Sequence, residues 1–312
     1  HHGQQHPSTA PMPRPPQQQE PTAAYSGRHR ALFIGINYVG SSAELRGCVN
    51  DVTTMQKMLR HLGFPLQDYR ALTEDASIDG NVGLPTKQAI VDHLHWLVDG
   101  ASAGDTLFLH YSGHGTSVED RSGDEADGKD EALVPLDYET AGIFVDDDIY
   151  DIVASRLPPG VRLTAVLDCC HSGTLMDLPF MFTASQENLR AHRGMAPRGA
   201  FGKKQRRGRA GGAAQVLMFS GCQDDQTSAD VSNTASFDVP AGDSAGSAGG
   251  ACTNAMAEIL YNTPRMTFAQ LLGGMRDNLG RRGFSQIPQM SSSATVDLQA
   301  VFSLWGSFTA TY

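Results

Sequence analysis

The sequence predicts an α/β fold in which a mostly parallel central sheet is flanked by helices on both faces. Short apolar runs without helical periodicity, such as 106–111 and 161–167, are typical of strands buried on both faces of a parallel sheet. Amphipathic helical segments alternate with these runs, which favours parallel strands joined by helical crossovers. Since 40% of the 312 residues are hydrophobic, the chain can bury one sizeable core.

The chain divides into one folded domain and two terminal segments. Residues 1–29 form a Pro/Gln-rich arm that contains six of the 16 prolines, and we expect it to be disordered because it cannot bury enough apolar surface to order. Residues 30–303 are predicted to form the domain and 304–312 a C-terminal tail.

In the first half of the domain, hydrophobic periodicity and turn residues set the elements. Helix 50–61 has apolar residues at helical spacing, with Asn50 or Asp51 as its N-cap and Gly63 beyond its end. The predicted strands are 31–37, 69–73 and 106–111, and the predicted helices are 50–61 and 85–99.

The second half begins with a long acidic stretch. We expect a hairpin within it, and then a helix whose acidic first residues complement the helix dipole. The predictions in order are a hairpin of 132–135 with 142–145, a helix starting at 146–148, strand 161–168, an exposed basic loop at about 183–214, strand 216–220, a loop at 239–250, helices 253–261 and 267–279, and a last strand at 297–302.

Charge is unevenly distributed along the chain. Residues 119–151 hold 13 acidic and two basic residues, whereas 190–209 hold eight Lys and Arg and no acid. The net charge of −10 would repel phosphate, so we expect no nucleic-acid partner.

The sequence shows no apolar run long enough for a membrane span and no secretory signal pattern. Five cysteines, two of them adjacent, fit reduced thiols better than a disulfide framework, and we expect a soluble cytoplasmic protein.

Two predicted strands end in reactive side chains. The run 105–115 ends in His114 between two glycines, and the run 161–173 ends in Cys169, Cys170 and His171. Crevices in open α/β sheets lie beyond the carboxyl ends of the strands. The pattern therefore predicts a Cys/His pair that is distant in sequence and adjacent in space.

A cysteine and a histidine in this arrangement suit nucleophilic catalysis. The imidazole can take the thiol proton and return it to a leaving amine, and the backbone N–H groups of Gly115 and Cys170 could stabilise an oxyanion. A zinc site made of His110, His114 and the residues 169–171 is the alternative, but the spacing matches no common zinc motif.

Four stretches then carry a family resemblance. HYSGHG at 110–115, DCCHSG at 168–173, RGCVND at 46–51 and SGCQDDQTSAD at 220–230 resemble, in order, the signature stretches of type I metacaspases, the caspase-like cysteine peptidases. The resemblance covers about 30–303 and implies a caspase-like fold. It implies Cys170 as the nucleophile and His114 as its partner, with Cys169 at a position where the family usually has a small residue.

The resemblance also implies cleavage after Arg or Lys in protein or peptide substrates. Asp51 and Asp168 would line the primary specificity pocket, with Cys48 and Ser112 beside them. Two carboxylates can bind a guanidinium through charge-assisted hydrogen bonds and would repel an acidic side chain. The simpler interpretation of Asp51 is a helix N-cap, and both roles can coexist.

Calcium is the implied cofactor, since clustered carboxylates suit a hard cation. The acidic stretch lacks the ligand pattern of an EF-hand, and the resemblance selects instead Asp130, Asp146, Asp147 and Asp177. A solvated acidic surface is the alternative.

The basic segments suggest self-processing, because flexible exposed backbone is what proteases cut. A linker or a nuclear-localisation patch is the alternative for the loop. The candidate residues are Arg14, Arg28, Arg30, Lys203, Lys204, Arg206, Arg207 and Arg209.

The sequence thus predicts a calcium-dependent, monomeric cysteine endopeptidase. Two alternatives stay open: a caspase-like scaffold or aggregate-binding protein without proteolysis, and an acyl-transfer ligase on the same fold.

Overall fold

The computed structural model describes residues 27–119, 129–169, 173, 175–197, 214–223 and 250–304. Within them the strands are β1 (His29–Gly35), β2 (Asp68–Thr73), β3 (Asn81–Gly83), β4 (Thr106–Ser112), β5 (Gly115–Glu119), β6 (Lys129–Leu133), β7 (Phe144–Val145), β8 (Arg162–Asp168), β9 (Phe180–Thr183), β10 (Ala196–Pro197), β11 (Gln215–Gln223) and β12 (Gln286–Ser292). The helices are α1 (Cys48–His61), α2 (Lys87–Val98), α3 (Tyr138–Ala141), α4 (Asp146–Ile152), α5 (Gln186–Arg190), α6 (Ala251–Asn262) and α7 (Phe268–Arg281), with a 3-10 turn at Ala154–Arg156.

The described strands form a nine-stranded sheet in the order β10-β9-β12-β11-β8-β4-β1-β2-β3 and a separate three-stranded sheet in the order β5-β6-β7. The pairs from β11 through β8, β4, β1 and β2 to β3 are parallel, whereas β12, β9 and β10 add antiparallel pairs at one side. The predicted α/β class with a mostly parallel central sheet is confirmed.

The central strands β4 and β8 are buried along their whole length. Alternate residues of a strand point to opposite faces, so each strand contributes to two cores. One core packs α2 and α4 against the sheet and the other packs α1, α6 and α7. Each fully buried Leu or Phe side chain contributes about 1.5–3 kcal/mol of burial energy, and helices therefore cover both faces.

Helices α2 and α7 begin at side-chain caps. The Thr86 side chain accepts a hydrogen bond from the Ala89 N–H at the start of α2, and Thr267 forms a capping box with Gln270 at the start of α7. Helix α1 begins earlier than predicted, at Cys48 after Gly47, which has a φ of 112°. The Asp51 N–H donates to the Gly47 carbonyl, so Asp51 lies inside the first turn and the N-cap prediction for Asn50 or Asp51 was wrong.

Two other sequence predictions were wrong. Residues 297–302 form no strand apart from an isolated bridge of Val301 with Thr267, and the last described strand is β12, whose residues are mostly polar. The segment predicted as an exposed loop at 183–214 contains α5 and β10 in its described part, where β10 pairs with β9 at the sheet edge. The rest of that loop, 198–213, lies outside the described residues.

The acidic stretch contains the predicted hairpin. Ala132 pairs with Val145 and Leu133 with Phe144, and β5 extends the small sheet on the other side of β6. Helix α4 begins at Asp146, as predicted. This small sheet starts at Gly115, directly after His114, so it connects the acidic stretch to the end of β4.

Candidate active site

The ends of three neighbouring strands define the site. In the parallel register Gly35 of β1 pairs with Ser112 of β4, and Ser112 pairs with Asp168 of β8. His114 lies two positions after Ser112, and Cys170 comes two positions after Asp168 in sequence. The parallel strands thus bring Ser112 and Asp168 to one edge of the sheet.

His114 is buried, with 7% of its surface exposed, and its orientation is fixed. Its Nε2 lies 2.8 Å from the carbonyl oxygen of Ala43. A carbonyl only accepts, so Nε2 carries the proton and Nδ1 is the nitrogen with a free lone pair. Burial lowers the pKa of His114, and the bond to Ala43 offsets this in part. The imidazole is therefore neutral near pH 7, as a general base requires.

Tyr38 holds the other side of His114. The two rings lie with their centroids 4.8 Å apart, and the Tyr38 hydroxyl accepts the His114 backbone N–H at 3.0 Å and donates to the Val134 carbonyl at 2.6 Å. Tyr38 has a φ of 51°, a left-handed backbone conformation that is uncommon for a residue other than glycine. Sequence reasoning missed this residue and Ala43, because nothing local marks either one.

A close approach explains the glycine before His114. A Cβ at Gly113 would lie 2.8 Å from the Tyr111 hydroxyl and 3.1 Å from the Tyr38 hydroxyl. Tyr111 donates from that hydroxyl to the His114 carbonyl at 2.8 Å. The glycine therefore leaves room for the two tyrosines that fix the backbone of His114.

The predicted nucleophile Cys170 lies outside the described residues, as do His171 and Ser172. Its neighbour Cys169 is described, and its side chain is 1% exposed within an apolar cluster. Gly115, the other predicted oxyanion donor, is the first residue of β5 and pairs with Leu133.

Asp51 and Asp168 form a pair of buried carboxylates at the same edge, 3% and 0% exposed. The Ser112 hydroxyl donates to Asp51 Oδ2 at 2.6 Å, and the Asn254 side-chain amide donates to Asp51 Oδ1 at 3.0 Å. The Thr253 backbone N–H donates to Asp168 Oδ2. The structure thus brings the predicted residues Asp51, Ser112 and Asp168 together and adds two from α6 that the sequence did not indicate.

Burial raises the pKa of both carboxyl groups. Burial raises the pKa of Asp51 to about 6, against the effect of its hydrogen bonds from Ser112 and Asn254. Burial, and next the charge of Asp51, raise the pKa of Asp168 well above its usual range. Among the described residues Asp168 Oδ1 has no hydrogen-bond partner. A buried carboxylate oxygen without a partner is costly, and a cation placed there would relieve it.

Cys48 and Gly250 line the same place. Burial raises the pKa of the Cys48 thiol to about 12, so this thiol stays protonated and is no second nucleophile. A Cβ at Gly250 would lie 2.8 Å from Asp51 Oδ2, so a glycine lets the start of α6 approach the carboxylate.

Three of the four predicted metal ligands meet. Asp146, Asp147 and Asp177 each place a carboxylate oxygen within 4.8 Å of the others. Asp130 lies outside this group, but its charge contributes to the raised pKa of Asp146, which burial first and Asp177 second bring to about 8. The donor set consists of carboxylate oxygens, the ligands that a hard cation such as calcium prefers.

The self-processing candidates fall into two groups. Arg14, Lys203, Lys204, Arg206, Arg207 and Arg209 lie outside the described residues. Arg28 precedes β1 and pairs with Asp105, and Arg30 lies within β1 and pairs with Asp68. The peptide bond after Arg30 is part of a paired strand, so cleavage there would require β1 to leave the sheet.

Within the part of the chain that the structure describes, no helix has the length and apolar character to cross a membrane.

Comparison with known proteins identifies the family. Residues 29–179 match the family described as metacaspase, peptidase C14 domain. Metacaspase-2 of Trypanosoma brucei brucei is 44% identical over 279 residues, which cover 89% of this chain and 77% of the relative. Metacaspase-5 of the same organism is 43% identical over 91% of this chain, which spans 54% of that longer protein. This chain belongs to the metacaspase family, and its α/β fold is caspase-like.

Two further matches set limits on what membership implies. The crystal structure of protein GSU0716 from Geobacter sulfurreducens aligns with a TM-score of 0.54 at 23% identity, over 88% of this chain and 97% of that one, a likeness of fold. A protein named inactive metacaspase-4 of Trypanosoma brucei brucei is 39% identical over 282 residues. Membership alone therefore does not establish activity.

Proposed function

We propose that this chain is a calcium-dependent cysteine endopeptidase that cleaves peptide bonds after Arg or Lys and processes itself in exposed basic segments. The observation that carries the specificity is the pair of buried carboxylates, Asp51 and Asp168, one oxygen of which has no partner among the described residues. A substrate guanidinium or ammonium group supplies the missing positive charge. An aspartate side chain would add a third negative charge to the same place.

The catalytic step follows from the state of His114. With its Nε2–H bound to Ala43, the free Nδ1 takes the thiol proton of Cys170. The thiolate then adds to the scissile carbonyl carbon, and the same nitrogen returns the proton to the leaving amine. Water hydrolyses the resulting thioester with His114 again as base, and the N–H groups of Gly115 and Cys170 are the proposed oxyanion donors.

The nucleophile is Cys170 and not Cys169. A thiol must reach the substrate carbonyl, and the side chain of Cys169 is held in the apolar core with 1% of its surface exposed. A thiol buried in apolar surroundings stays protonated and inert.

Calcium acts away from the thiol. Asp146 and Asp147 begin α4, and Asp177 lies seven positions after Cys170 in sequence. Calcium, when bound, would offset the repulsion among these carboxylates and tie the acidic stretch to the segment that contains Asp177. Magnesium requires a smaller and near-ideal octahedral arrangement of ligands, so we expect it to replace calcium poorly.

A panel of fluorogenic peptides that differ only in the residue before the scissile bond tests the proposal. We expect turnover after Arg and Lys with calcium, little with a chelator, and none from Cys170→Ala. Preferred cleavage after Asp, or cleavage unchanged in Cys170→Ala, would overturn it. Sedimentation of the active enzyme at working concentration tests the expectation that it acts as a monomer.

A further inference from the structure

The histidine at the start of the HYSGHG stretch has no role in the mechanism above. His110 lies in β4, four positions before His114, and none of its surface is exposed. Burial lowers its pKa to about 3, so it is neutral at any working pH. Burial of an imidazole costs free energy that an apolar side chain of similar size would not cost. The position of His110 in the core therefore calls for an explanation.

The contacts of His110 lead to the specificity pocket. Its Nε2 lies 3.1 Å from the hydroxyl oxygen of Thr253, and its Nδ1 has no hydrogen-bond partner among the described residues. Thr253 is in the first turn of α6, its backbone N–H donates to Asp168 Oδ2, and its side-chain hydroxyl favours the charged form of Asp168. The three residues therefore form a chain from the middle of β4 to the end of β8.

The direction of the chain follows from what each group can donate. An ionised carboxylate only accepts, so the Thr253 hydroxyl favours the charged form of Asp168 by turning its single proton towards it. The hydroxyl oxygen is then left to accept, and His110 must donate from Nε2. An unprotonated Nδ1 without a partner is the state that costs least, since a buried N–H would require an acceptor.

We propose that His110 and Thr253 are positioning residues of the pocket, and that this donor chain holds Asp168 oriented and ionised for a basic substrate side chain. The inference rests on the proposed Arg/Lys specificity. It goes beyond it because neither residue reaches the substrate: His110 acts through Thr253, and Thr253 acts through Asp168.

The charged surroundings of Asp168 make this support necessary. The charge of Asp51 from α1 opposes ionisation of Asp168. Cys48 from α1 is neutral because burial raises its pKa, and His110 from β4 is neutral because burial lowers its pKa. Among these groups only the donors from α6 favour the charged form of Asp168.

Binding of benzamidine, a small aryl amidinium cation, tests the chain without the chemical step. The background is Cys170→Ala, which removes self-cleavage, and binding, unlike turnover, does not require His114 to act as a base. Calorimetric titration at a series of pH values gives the midpoint below which binding is lost. Removal of one hydrogen bond to a charged group should move this midpoint upward by about one pH unit in Thr253→Val.

Thr253→Ser keeps the hydroxyl and should keep the wild-type midpoint. Thr164→Val is the matched control, because Thr164 is a buried threonine on β8 whose hydroxyl has no partner among the described residues. His110→Leu should shift the midpoint in the same direction as Thr253→Val, whereas His110→Gln, which retains a donor, should restore it. If Thr253→Val does not fold, the comparison of His110→Leu with His110→Gln still tests the donor chain.

The pH dependence separates positioning from simple structural damage. A midpoint that moves, with binding that returns to the wild-type strength at high pH, supports the chain. Equal weakening at every pH, or the same midpoint in Thr253→Val and Thr164→Val, overturns it. Failure of the unmodified pocket to bind benzamidine at any pH would instead overturn the proposed specificity, and the donor chain with it.

Discussion

The Nε2 of His114 is 2.8 Å from the carbonyl oxygen of Ala43, a residue 71 positions earlier in the chain. This one contact decides which imidazole nitrogen can act as a base. It also ties catalysis to the loop between β1 and α1, which Glu74 holds through hydrogen bonds from the N–H groups of Tyr38 and Val39. Damage to this loop should therefore reach the active site.

Tyr38→Phe tests that link. The ring against His114 is kept, but the hydroxyl that joins the His114 N–H to the Val134 carbonyl is lost. We expect kcat to fall about tenfold and the free energy of unfolding to fall by about 1–3 kcal/mol. Kinetics and urea unfolding measure both, with Tyr261→Phe at the surface as control. Wild-type kcat in Tyr38→Phe would contradict the role given to the hydroxyl.

Replacement of the two adjacent cysteines should have opposite results. Cys170→Ala should abolish hydrolysis, whereas Cys169→Ala should keep most activity and lose some stability, because it removes a buried sulfur from the core. Alkylation with iodoacetamide followed by peptide mapping identifies the reactive thiol. Activity lost only in Cys169→Ala would reverse the assignment.

The carboxylate pair predicts how substrate binding depends on pH. The pKa of Asp51 is raised to about 6, so below this pH the pocket is increasingly neutral and KM for arginyl substrates should rise. Asp51→Asn should raise KM at pH 7.5 and flatten its dependence on pH. The measurement is KM between pH 5 and 8, and an unchanged KM in this variant would reduce Asp51 to a structural residue.

The same shift predicts a stability effect of opposite sense. A carboxyl whose folded-state pKa is raised contributes stability that is present at low pH and is lost as the pH rises through the folded-state pKa. For Asp51 the loss takes place between the ordinary carboxyl pKa near 4 and the folded-state pKa of about 6, and it is of the order of 2–3 kcal/mol. The melting temperature of ligand-free enzyme should fall from about pH 4 to about pH 6, and it should fall less in Asp51→Asn. Equal slopes in scanning calorimetry would contradict the raised pKa.

Calcium should raise both the melting temperature and the activity. Asp147→Asn should remove most of this response, because Asp147 is one of the three clustered carboxylates. Asp148→Asn is the control: Asp148 lies in the same turn of α4 but outside the cluster. Full activity of the wild type in excess chelator, or equal responses of the two variants to calcium, would contradict the calcium site. The three carboxylates would then be part of a solvated acidic surface.

Self-processing should occur at the basic residues of 203–209 and at Arg14, and not after Arg30 while β1 is paired. Mass spectrometry of incubated enzyme identifies the cut sites, with Cys170→Ala incubated alongside. The same fragments from the inactive variant would indicate another protease. Early cleavage after Arg30 would show that β1 leaves the sheet more easily than its pairing suggests.

Local sequence patterns predicted the parts of this fold that depend on local physics. Helices α2 and α7 start close to their predicted positions because threonine caps and helical periodicity act over a few residues. Strands β4 and β8 were identifiable because each contains a mostly apolar run without helical periodicity. The strand β12 was missed because its residues, QIPQMSS, are mostly polar and include a proline. Its burial comes from packing against segments that are distant in sequence.

The candidate site divides in the same way. His114, Asp51 and Asp168 stand in recognisable motifs, whereas Tyr38, Ala43 and Thr253 contribute through long-range contacts. Thr253 lies 85 positions from its partner Asp168, and no local pattern joins them. Residues that support a site without facing the substrate are recognised from their contacts. These contacts join distant parts of the chain, so they become visible only when the fold is known.

The strand order has a consequence for the fate of the chain after processing. A cut between 198 and 213 would leave β11 and β12 on one fragment and every other described strand on the other. In the sheet, β11 and β12 lie between β8 and β9, so strands of the first fragment flank them on both sides. Neither fragment could leave without breaking two rows of backbone hydrogen bonds. A nicked molecule should thus migrate as two chains in denaturant and as one particle without it, with Asp51 and Asn254, which would then belong to different chains, still in contact.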